Sequence, residues 1–187
     1  MSDPHQAAGK NALHPDDVMF SSAVRAKQES LGSREAQAHR AAAGRFAREL
    51  SAEAVAFIGD RDSAYLATAS ADGQPYVQHR GGPKGFLKVL DARTIAIPEY
   101  PGNRQYISIG HLEENGRSFL FLMDYANARR LKLWGRGRLT DEPALLALFA
   151  APVHPARVER VIVFSVLACD WNCSQHIPRM VPADQSR

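Results

Sequence analysis

The sequence has 187 residues, is 45% apolar and carries a formal charge of +3, which fits one domain with a sizeable core. Two cysteines, a polar N-terminus and no apolar run longer than residues 161–168 exclude a disulfide framework, a signal peptide and a membrane span. Eighteen of the 23 basic residues are arginine, which favours an anionic ligand, although the net charge is too small to indicate nucleic acid. We therefore expect a cytoplasmic protein.

The N-terminal part of the chain is predicted to be irregular at first and then helical. Residues 1 to about 30 show no sustained periodicity, which indicates an extended or partly disordered arm. Ser33 can cap an alanine-rich helix over residues 34–50, and Ser51 can cap a shorter helix that ends at Gly59.

The remainder of the chain, residues 51–187, is predicted to be an antiparallel β domain, with residues 1–50 as its N-terminal arm and helix. The Asp72-Gly73 dipeptide favours the positive φ angles of a tight hairpin. Short links and few helices indicate a small closed or nearly closed β-barrel with flanking helices. The predicted strands comprise residues 64–70, 75–80, 86–90, 94–97, 118–125, 129–140 and 157–168.

Two basic segments predict a site for a phosphorylated small molecule. In the first, residues 102–112, a glycine, Asn103 and Arg104 open an amphipathic turn and helix. Such a start offers free backbone N–H groups, a helix dipole and a guanidinium to one phosphate. The second segment, residues 78–88, contains Arg80 in a glycine-rich stretch. The alternative interpretation is an ordinary surface helix with Asn103 as its N-cap, preceded by a flexible hairpin loop.

The strand around Trp134 has a basic face. Residues 130, 132, 136 and 138 are cationic and alternate along the strand with Trp134, so all five share one face. This face has three interpretations: a solvated outer surface, a cofactor-facing edge or a platform for single-stranded nucleic acid. One tryptophan is little support for the last reading, and no nucleic-acid partner is predicted.

The sequence gives no metal site and no recognisable nucleophile. Cys169, Cys173 and His176 lack an obvious fourth ligand, for which His154 is the nearest candidate, and their spacing is not that of typical zinc sites. Reduced thiols are the preferred interpretation. Neither a nucleophile elbow nor a triphosphate-binding loop is present.

Taken together, several short motifs resemble the flavin-binding split-barrel family typified by pyridoxamine 5′-phosphate oxidase, and more closely its branch of related FMN-binding proteins. Their order and spacing carry the resemblance over roughly residues 55–180. The resemblance implies a mainly β, α+β fold: a six-stranded antiparallel split β-barrel with flanking helices. It also implies a homodimer with two FMN molecules in the interface clefts. The motifs comprise residues 62–68, 72–77, 78–83, 102–106, 121–125, 130–136 and 170–177.

The resemblance assigns roles to five residues near the two basic segments. Arg80 matches the arginine that reaches the FMN phosphate and ribityl chain, and Lys88 matches a lysine near the isoalloxazine ring. Asn103 and Arg104 match the pair that binds the phosphate. Gln105 stands where the oxidases often carry lysine, which lowers the positive charge expected there.

Four further residues are assigned to the cofactor by the same resemblance. Arg130 stands where the oxidases place a glutamine from the partner subunit. Trp171, Asn172 and Gln175 belong to a tail motif of this branch, and we expect them beside the cofactor or its substrate face. No residue is assigned a catalytic role.

The tail separates this chain from the vitamin B6 oxidases. Those enzymes end with an arginine and a histidine, two residues apart, that bind the substrate phosphate, whereas here His176 precedes Arg179. We therefore expect an FMN-dependent oxidoreductase acting on a small molecule other than vitamin B6. A non-enzymatic module that binds or senses flavin, haem or the deazaflavin F420 is the alternative, because no general acid or base is evident. A nucleic-acid-binding barrel is a third.

Overall fold

A computed structural model describes residues 14–150, 158–171 and 175–180. The helices of these residues are α1 (Pro15–Met19), α2 (Ser22–Ser30), α3 (Arg34–Ala42), α4 (Ala52–Gly59), α5 (Ile107–Glu114) and α6 (Pro143–Ala147). The strands are β1 (Ser63–Ala69), β2 (Pro75–Gly81), β3 (Lys88–Asp91), β4 (Thr94–Glu99), β5 (Arg117–Asp124), β6 (Arg129–Thr140) and β7 (Arg160–Trp171). No helix among the described residues is long and apolar enough to cross a membrane.

The described part of the N-terminal arm is more helical than predicted. Helices α1 and α2 occupy residues for which the sequence predicted no regular structure, and the Ser21 side chain caps α2 by accepting a hydrogen bond from Val24 N at 3.3 Å. Helix α3 is shorter than predicted, because Gly44 adopts a left-handed φ of 69° directly after it. The predicted cap of α4 is confirmed, since the Ser51 hydroxyl accepts from Ala54 N at 3.2 Å.

All seven predicted strands form, in one antiparallel sheet with the order β2-β1-β5-β6-β7-β4-β3. The expectation of six strands is therefore wrong. The tight turn after Asp91 folds β3 back onto β4, and β3 adds to the sheet as a short seventh strand. Its ladder is irregular, with a register shift between Val89 and Asp91. Antiparallel sheet with flanking helices was predicted correctly.

The sheet curls so strongly that strands far apart in its order touch. Arg80 in β2 and Glu99 in β4 form an ion pair, although β2 and β4 are the first and sixth strands of the order. In a flat sheet these strands would lie about 24 Å apart, at roughly 4.8 Å per strand. The ion pair therefore spans a split at which the curled sheet meets itself.

The core fills the inside of this curled sheet. Fully buried side chains from the strands, such as Leu66, Leu133 and Phe164, form one cluster with Ile58 of helix α4. At Gly135 the β6–β7 register shifts, and an added Cβ would lie 2.5 Å from the Phe164 ring. Only glycine leaves room for this contact, so the bulge and the core packing depend on each other.

Candidate functional site

A cleft of about 160 Å³ lies at the split of the sheet. The end of β2 forms one wall, and the segment from Pro98 to Ile109, which joins β4 to α5, forms much of the rest. Glu159 and Arg160 at the start of β7 complete the lining. Both basic segments identified in the sequence therefore meet in one place.

Arg80 lies in this cleft with part of its hydrogen-bonding capacity unused. Its side chain is 7% exposed, and its Nη1 pairs with the Glu99 carboxylate. Its Nε and Nη2 are buried and have no hydrogen-bond partner among the described residues. Burying unsatisfied donors of a charged group is costly. An anionic ligand in the cleft could supply the missing acceptors, and a phosphate has enough oxygens to do so.

The loop opposite Arg80 presents its side chains to solvent through an unusual backbone. Arg104 and Tyr106 have φ angles of 59° and 55°, in the left-handed region that non-glycine residues seldom adopt. Each such residue costs about 1–3 kcal/mol, and residues of this kind concentrate at functional sites. The Asn103 Oδ1 accepts from Gln105 N at 3.2 Å and tightens the turn.

Helix α5 begins later than the sequence predicted. Its first residue is Ile107 and its N-cap is Tyr106, whose side chain forms no capping hydrogen bond. The interpretation of Asn103 as the N-cap is therefore wrong. Asn103, Arg104 and Gln105 instead form an exposed loop that leads into the uncapped helix start.

Side-chain hydrogen bonds fix α5, and with it the loop, against the sheet. The Ser108 hydroxyl donates to Gln78 Oε1 at 2.9 Å, and His111 Nδ1 lies 3.1 Å from Thr68 Oγ1. Gln78 and Arg80 are two residues apart on β2 and share a face. Gln78 therefore anchors the helix, and Arg80 faces the cleft. The sequence did not indicate a role for Ser108. The alternation of residues along β2, which places Gln78 on the same face as Arg80, was the signal that could have indicated its partner.

The charges of the cleft nearly balance. Arg80, Arg104 and Arg160 line it together with Glu99 and Glu159. Arg160 and Glu159 lie 3.7 Å apart, at the outer limit of an ion pair. Arg104 therefore remains the most available cation for a ligand, while Arg80 is shared with a carboxylate. Burial also raises the pKa of the nearby Tyr100 above its ordinary value.

Three of the other predicted residues lie outside this cleft in the same chain. Lys88 begins β3, opposite Ala96. Arg130 lies opposite Met123 on β5, with a buried Nε that has no hydrogen-bond partner in the described residues. Trp171 ends β7 with its ring centroid 4.9 Å from that of Phe57.

The tail is described only in part. Asn172 and Cys173 lie outside the described residues, and Gln175 is exposed. Cys169 is buried, and burial together with the charge of Asp170 raises the pKa of its thiol to about 12. The structure thus brings together Arg80, Asn103, Arg104 and Gln105, and it does not bring Lys88, Arg130 or Trp171 to them.

Comparisons with known proteins agree with this fold. A protein-family profile described as pyridoxamine 5′-phosphate oxidase matches residues 50–166. None of the curated proteins searched matches the sequence.

Several solved structures share the fold at low sequence identity. HupZ of Group A Streptococcus has 17% identity and a TM-score of 0.53, covering 70% of this chain and 98% of its own. An FMN-binding protein of Syntrophomonas wolfei has 15% identity and a TM-score of 0.52, and the match covers 79% of this chain and 97% of that protein. A putative pyridoxamine 5′-phosphate oxidase of Lactobacillus delbrueckii has 19% identity and a TM-score of 0.50, and the match covers 66% of this chain and 94% of that protein.

Proposed function

The chain belongs to the pyridoxamine 5′-phosphate oxidase family, and from this we propose that it is a cytoplasmic, homodimeric FMN-dependent oxidoreductase. We infer in addition that the curled sheet is the split β-barrel of that family, here with seven strands. The substrate is a small molecule other than vitamin B6, since His176 and Arg179 do not reproduce the order of the oxidases' substrate-binding pair.

The unpartnered donors of Arg80 are the observation that carries the proposal. A phosphate monoester carries a charge of about −1.5 to −2 and three strong acceptor oxygens. Arg80 Nε and Nη2 are two buried donors without acceptors among the described residues, and Arg104 adds a second guanidinium to the same cleft. One of the proteins that share the fold is an FMN-binding protein.

The residues of this chain would bind and orient the cofactor. Arg80 and Arg104 would neutralise the phosphate, and Asn103 would hold the turn that presents Arg104. When bound, the flavin supplies electron transfer to or from the substrate. Because Ser108 and His111 fix helix α5 to the sheet, the phosphate would be held at a constant position relative to the strands.

An apolar sheet face supports the proposed homodimer. On the outer face of β2, β1 and β5, the residues Val77, Tyr65, Phe119 and Phe121 are exposed or half-buried. Val77 is 59% exposed, although it lies on a strand beside these aromatic residues. Large exposed apolar patches mark interaction sites. A second copy covering this face could also bring its flavin to Arg130, whose buried Nε has no acceptor within the described part of the chain.

The first experiment is the absorption spectrum of the purified protein, followed by chromatography of any released chromophore. Release of about one FMN per subunit, together with reduction by NAD(P)H and turnover of an electron acceptor, would support the oxidoreductase. FMN that is bound but never turned over would favour a carrier or sensor. A colourless protein that does not bind added FMN would contradict the proposal.

Replacement of Arg104 tests the phosphate site directly. We expect Arg104→Ala to weaken FMN binding by about 2–4 kcal/mol, as for a lost partner of a charged pair. Quenching of flavin fluorescence during titration measures this affinity. Arg138→Ala is the matched control, because Arg138 is an exposed arginine on β6 that does not line the cleft. Equal FMN affinity in the two variants would exclude this phosphate site.

A further inference from the structure

A second cavity lies on the outer face of β6 and β7, beneath the N-terminal helices. Its volume is about 340 Å³, which falls in the range of about 300–1,000 Å³ that is usual for small-molecule sites. Residues between Met19 and Phe46 form one wall, and Lys132, Trp134, Asp170 and Trp171 form the other. We call this cavity the N-terminal pocket. None of its lining residues also lines the cleft at the split of the sheet.

The helical wall of the N-terminal pocket is tied to the sheet. Ala47 exchanges two backbone hydrogen bonds with Cys169 of β7, at 2.7 and 3.2 Å. Phe46, immediately before it, is buried and packs edge-on against Phe20, with ring centroids 5.6 Å apart. The pocket is therefore bounded by packed side chains on both sides.

A buried carboxylate also ties the three N-terminal helices to one another. Asp16 in α1 pairs with Arg25 in α2 at 3.0 Å and with Arg34 in α3 at 3.2 Å. Asp16 is 8% exposed, and breaking such a buried network is costly. These helices precede residue 50, where the family match begins, so this wall is an addition of this chain to the matched region.

The chemistry of the N-terminal pocket combines aromatic walls with positive charge. Phe20, Phe46, Trp134 and Trp171 supply four aromatic side chains. Lys132 Nζ lies 5.1 Å from the centroid of the Trp134 ring, so a cation and a ring face already meet there.

The cations of the N-terminal pocket outnumber its carboxylates. Lys132 pairs with Asp170 at 2.7 Å, with 21% and 17% of the two side chains exposed. Arg40 and Arg45 also line the pocket, and their side chains form no hydrogen bond or ion pair with any described residue. Three cations therefore face one carboxylate, which leaves two guanidinium groups available to an anion.

We propose that the N-terminal pocket binds a small aromatic anion, a planar ring that carries a carboxylate, sulfonate or phosphate group. The ring packs between the aromatic walls, where flat surfaces exclude water. The anionic group binds Arg40 and Arg45. This pocket is separate from the cleft at the split of the sheet, although it contains Trp171, which the family resemblance assigns to the cofactor, and its test does not depend on FMN binding.

The two tryptophans make this proposal directly measurable. The sequence contains two tryptophans, Trp134 and Trp171, and both line the N-terminal pocket. The probe is 4-nitrobenzoate, which quenches tryptophan fluorescence on contact, and 4-nitrobenzyl alcohol is its uncharged counterpart. With the full-length protein we expect saturable quenching by the acid, weakening as salt is added, and only linear collisional quenching by the alcohol.

Paired variants locate the bound anion. Arg40→Ala/Arg45→Ala removes the two free guanidinium groups and should weaken 4-nitrobenzoate binding by at least about tenfold. Arg117→Ala/Arg138→Ala removes the same charge from exposed arginines outside the pocket and should leave the affinity unchanged. Circular dichroism establishes that each variant is folded.

Several results would overturn the inference. These are the absence of saturable quenching, equal affinity for the acid and the alcohol, insensitivity of the acid's affinity to salt, and equal loss in both double variants. Arg80→Ala should leave binding intact, since Arg80 lines only the other cleft. Loss of 4-nitrobenzoate binding in Arg80→Ala would place the anion in the flavin cleft instead. Failure of the protein to bind FMN would leave all these outcomes unchanged.

Discussion

Glu99 opposes the binding of an anionic ligand in the cleft. Its carboxylate pairs with Arg80 Nη1, and both side chains are mostly buried. The pair stabilises the ligand-free cleft by neutralising a buried guanidinium. The same carboxylate repels a phosphate bound to the remaining nitrogens of Arg80. Glu99 therefore sets how tightly the cleft holds a doubly charged ligand.

Removing this carboxylate should tighten phosphate binding while weakening the empty protein. We expect Glu99→Gln to increase FMN affinity by about 1.5 kcal/mol, roughly tenfold, because the repulsion disappears. The thermal midpoint of the ligand-free variant should fall, since Arg80 loses its counter-ion. Fluorescence titration and thermal unfolding measure the two effects.

Glu159→Gln is the matched control for this prediction. Glu159 also lines the cleft, but it is exposed and its distance to Arg160 is 3.7 Å. We expect a smaller change in FMN affinity for this variant. Weaker FMN binding in Glu99→Gln would show instead that Glu99 holds Arg80 in its binding position.

At the residue level the sequence predicted two of the three arginines of the cleft, Arg80 and Arg104, and missed Arg160 and the carboxylate partner of Arg80. Arg80, Asn103 and Arg104 stand in short local motifs that the chain displays directly. The Glu99 contact to Arg80 depends on the curl of the whole sheet, which brings together strands that are not neighbours in its order. No local pattern could indicate that contact.

Among the elements, strand β6 shows how a single glycine controls packing. Gly135 lies at the register shift between β6 and β7, and an added Cβ would meet the Phe164 ring and the Ser165 carbonyl oxygen at 2.5 Å each. The carbonyl belongs to the backbone of the neighbouring strand and cannot turn away as a side chain does. The bulge therefore requires glycine.

We expect Gly135→Ala to lower the free energy of unfolding by about 1–3 kcal/mol, the usual cost of overpacking a core. Urea denaturation provides the measurement. Gly110→Ala is the control, because Gly110 lies inside α5 and an added Cβ would meet no atom within 4 Å. That change should be neutral or stabilising, since alanine favours a helix. Equal destabilisation by the two substitutions would contradict the role of the bulge.

The sequence predicted helices and strands correctly where local turn and cap residues determine them. It failed where tertiary contacts determine whether a helix forms or where it begins. The hairpin at Asp72-Gly73 and the cap at Ser51 follow from local chemistry, and both form. Helices α1 and α2 are polar and weakly periodic, and ion pairs centred on Asp16 connect them. The start of α5 at Ile107 was missed because the left-handed residues Arg104 and Tyr106 delay it.

At the scale of the whole molecule, the described residues of the single chain leave the apolar sheet face and the proposed phosphate cleft uncovered. A homodimer would cover the face around Val77 and Phe121. In the proposed arrangement the flavin lies at the subunit interface, so dimer formation and cofactor affinity are linked by mass action.

A charge on this face should separate the subunits. We expect Val77→Glu to give a monomer in sedimentation velocity and to bind FMN less tightly, because a buried unpaired carboxylate opposes association. Val77 is largely exposed in the single chain, so the fold of the subunit should tolerate the change. Val24→Glu on helix α2 is the control, since Val24 is 40% exposed on a different part of the molecule. A Val77→Glu dimer with unchanged FMN affinity would exclude this interface.

The ion pair across the split also bears on how this fold could adapt to other ligands. Within the described residues, the meeting of β2 and β4 rests on side chains, whereas backbone ladders join the neighbouring strands of the order. The width of the cleft can therefore change without the loss of a ladder hydrogen bond. Substitutions at positions 80 and 99 would change the size of the entrance and leave the strand ladders intact, so one scaffold could accommodate ligands of different breadth.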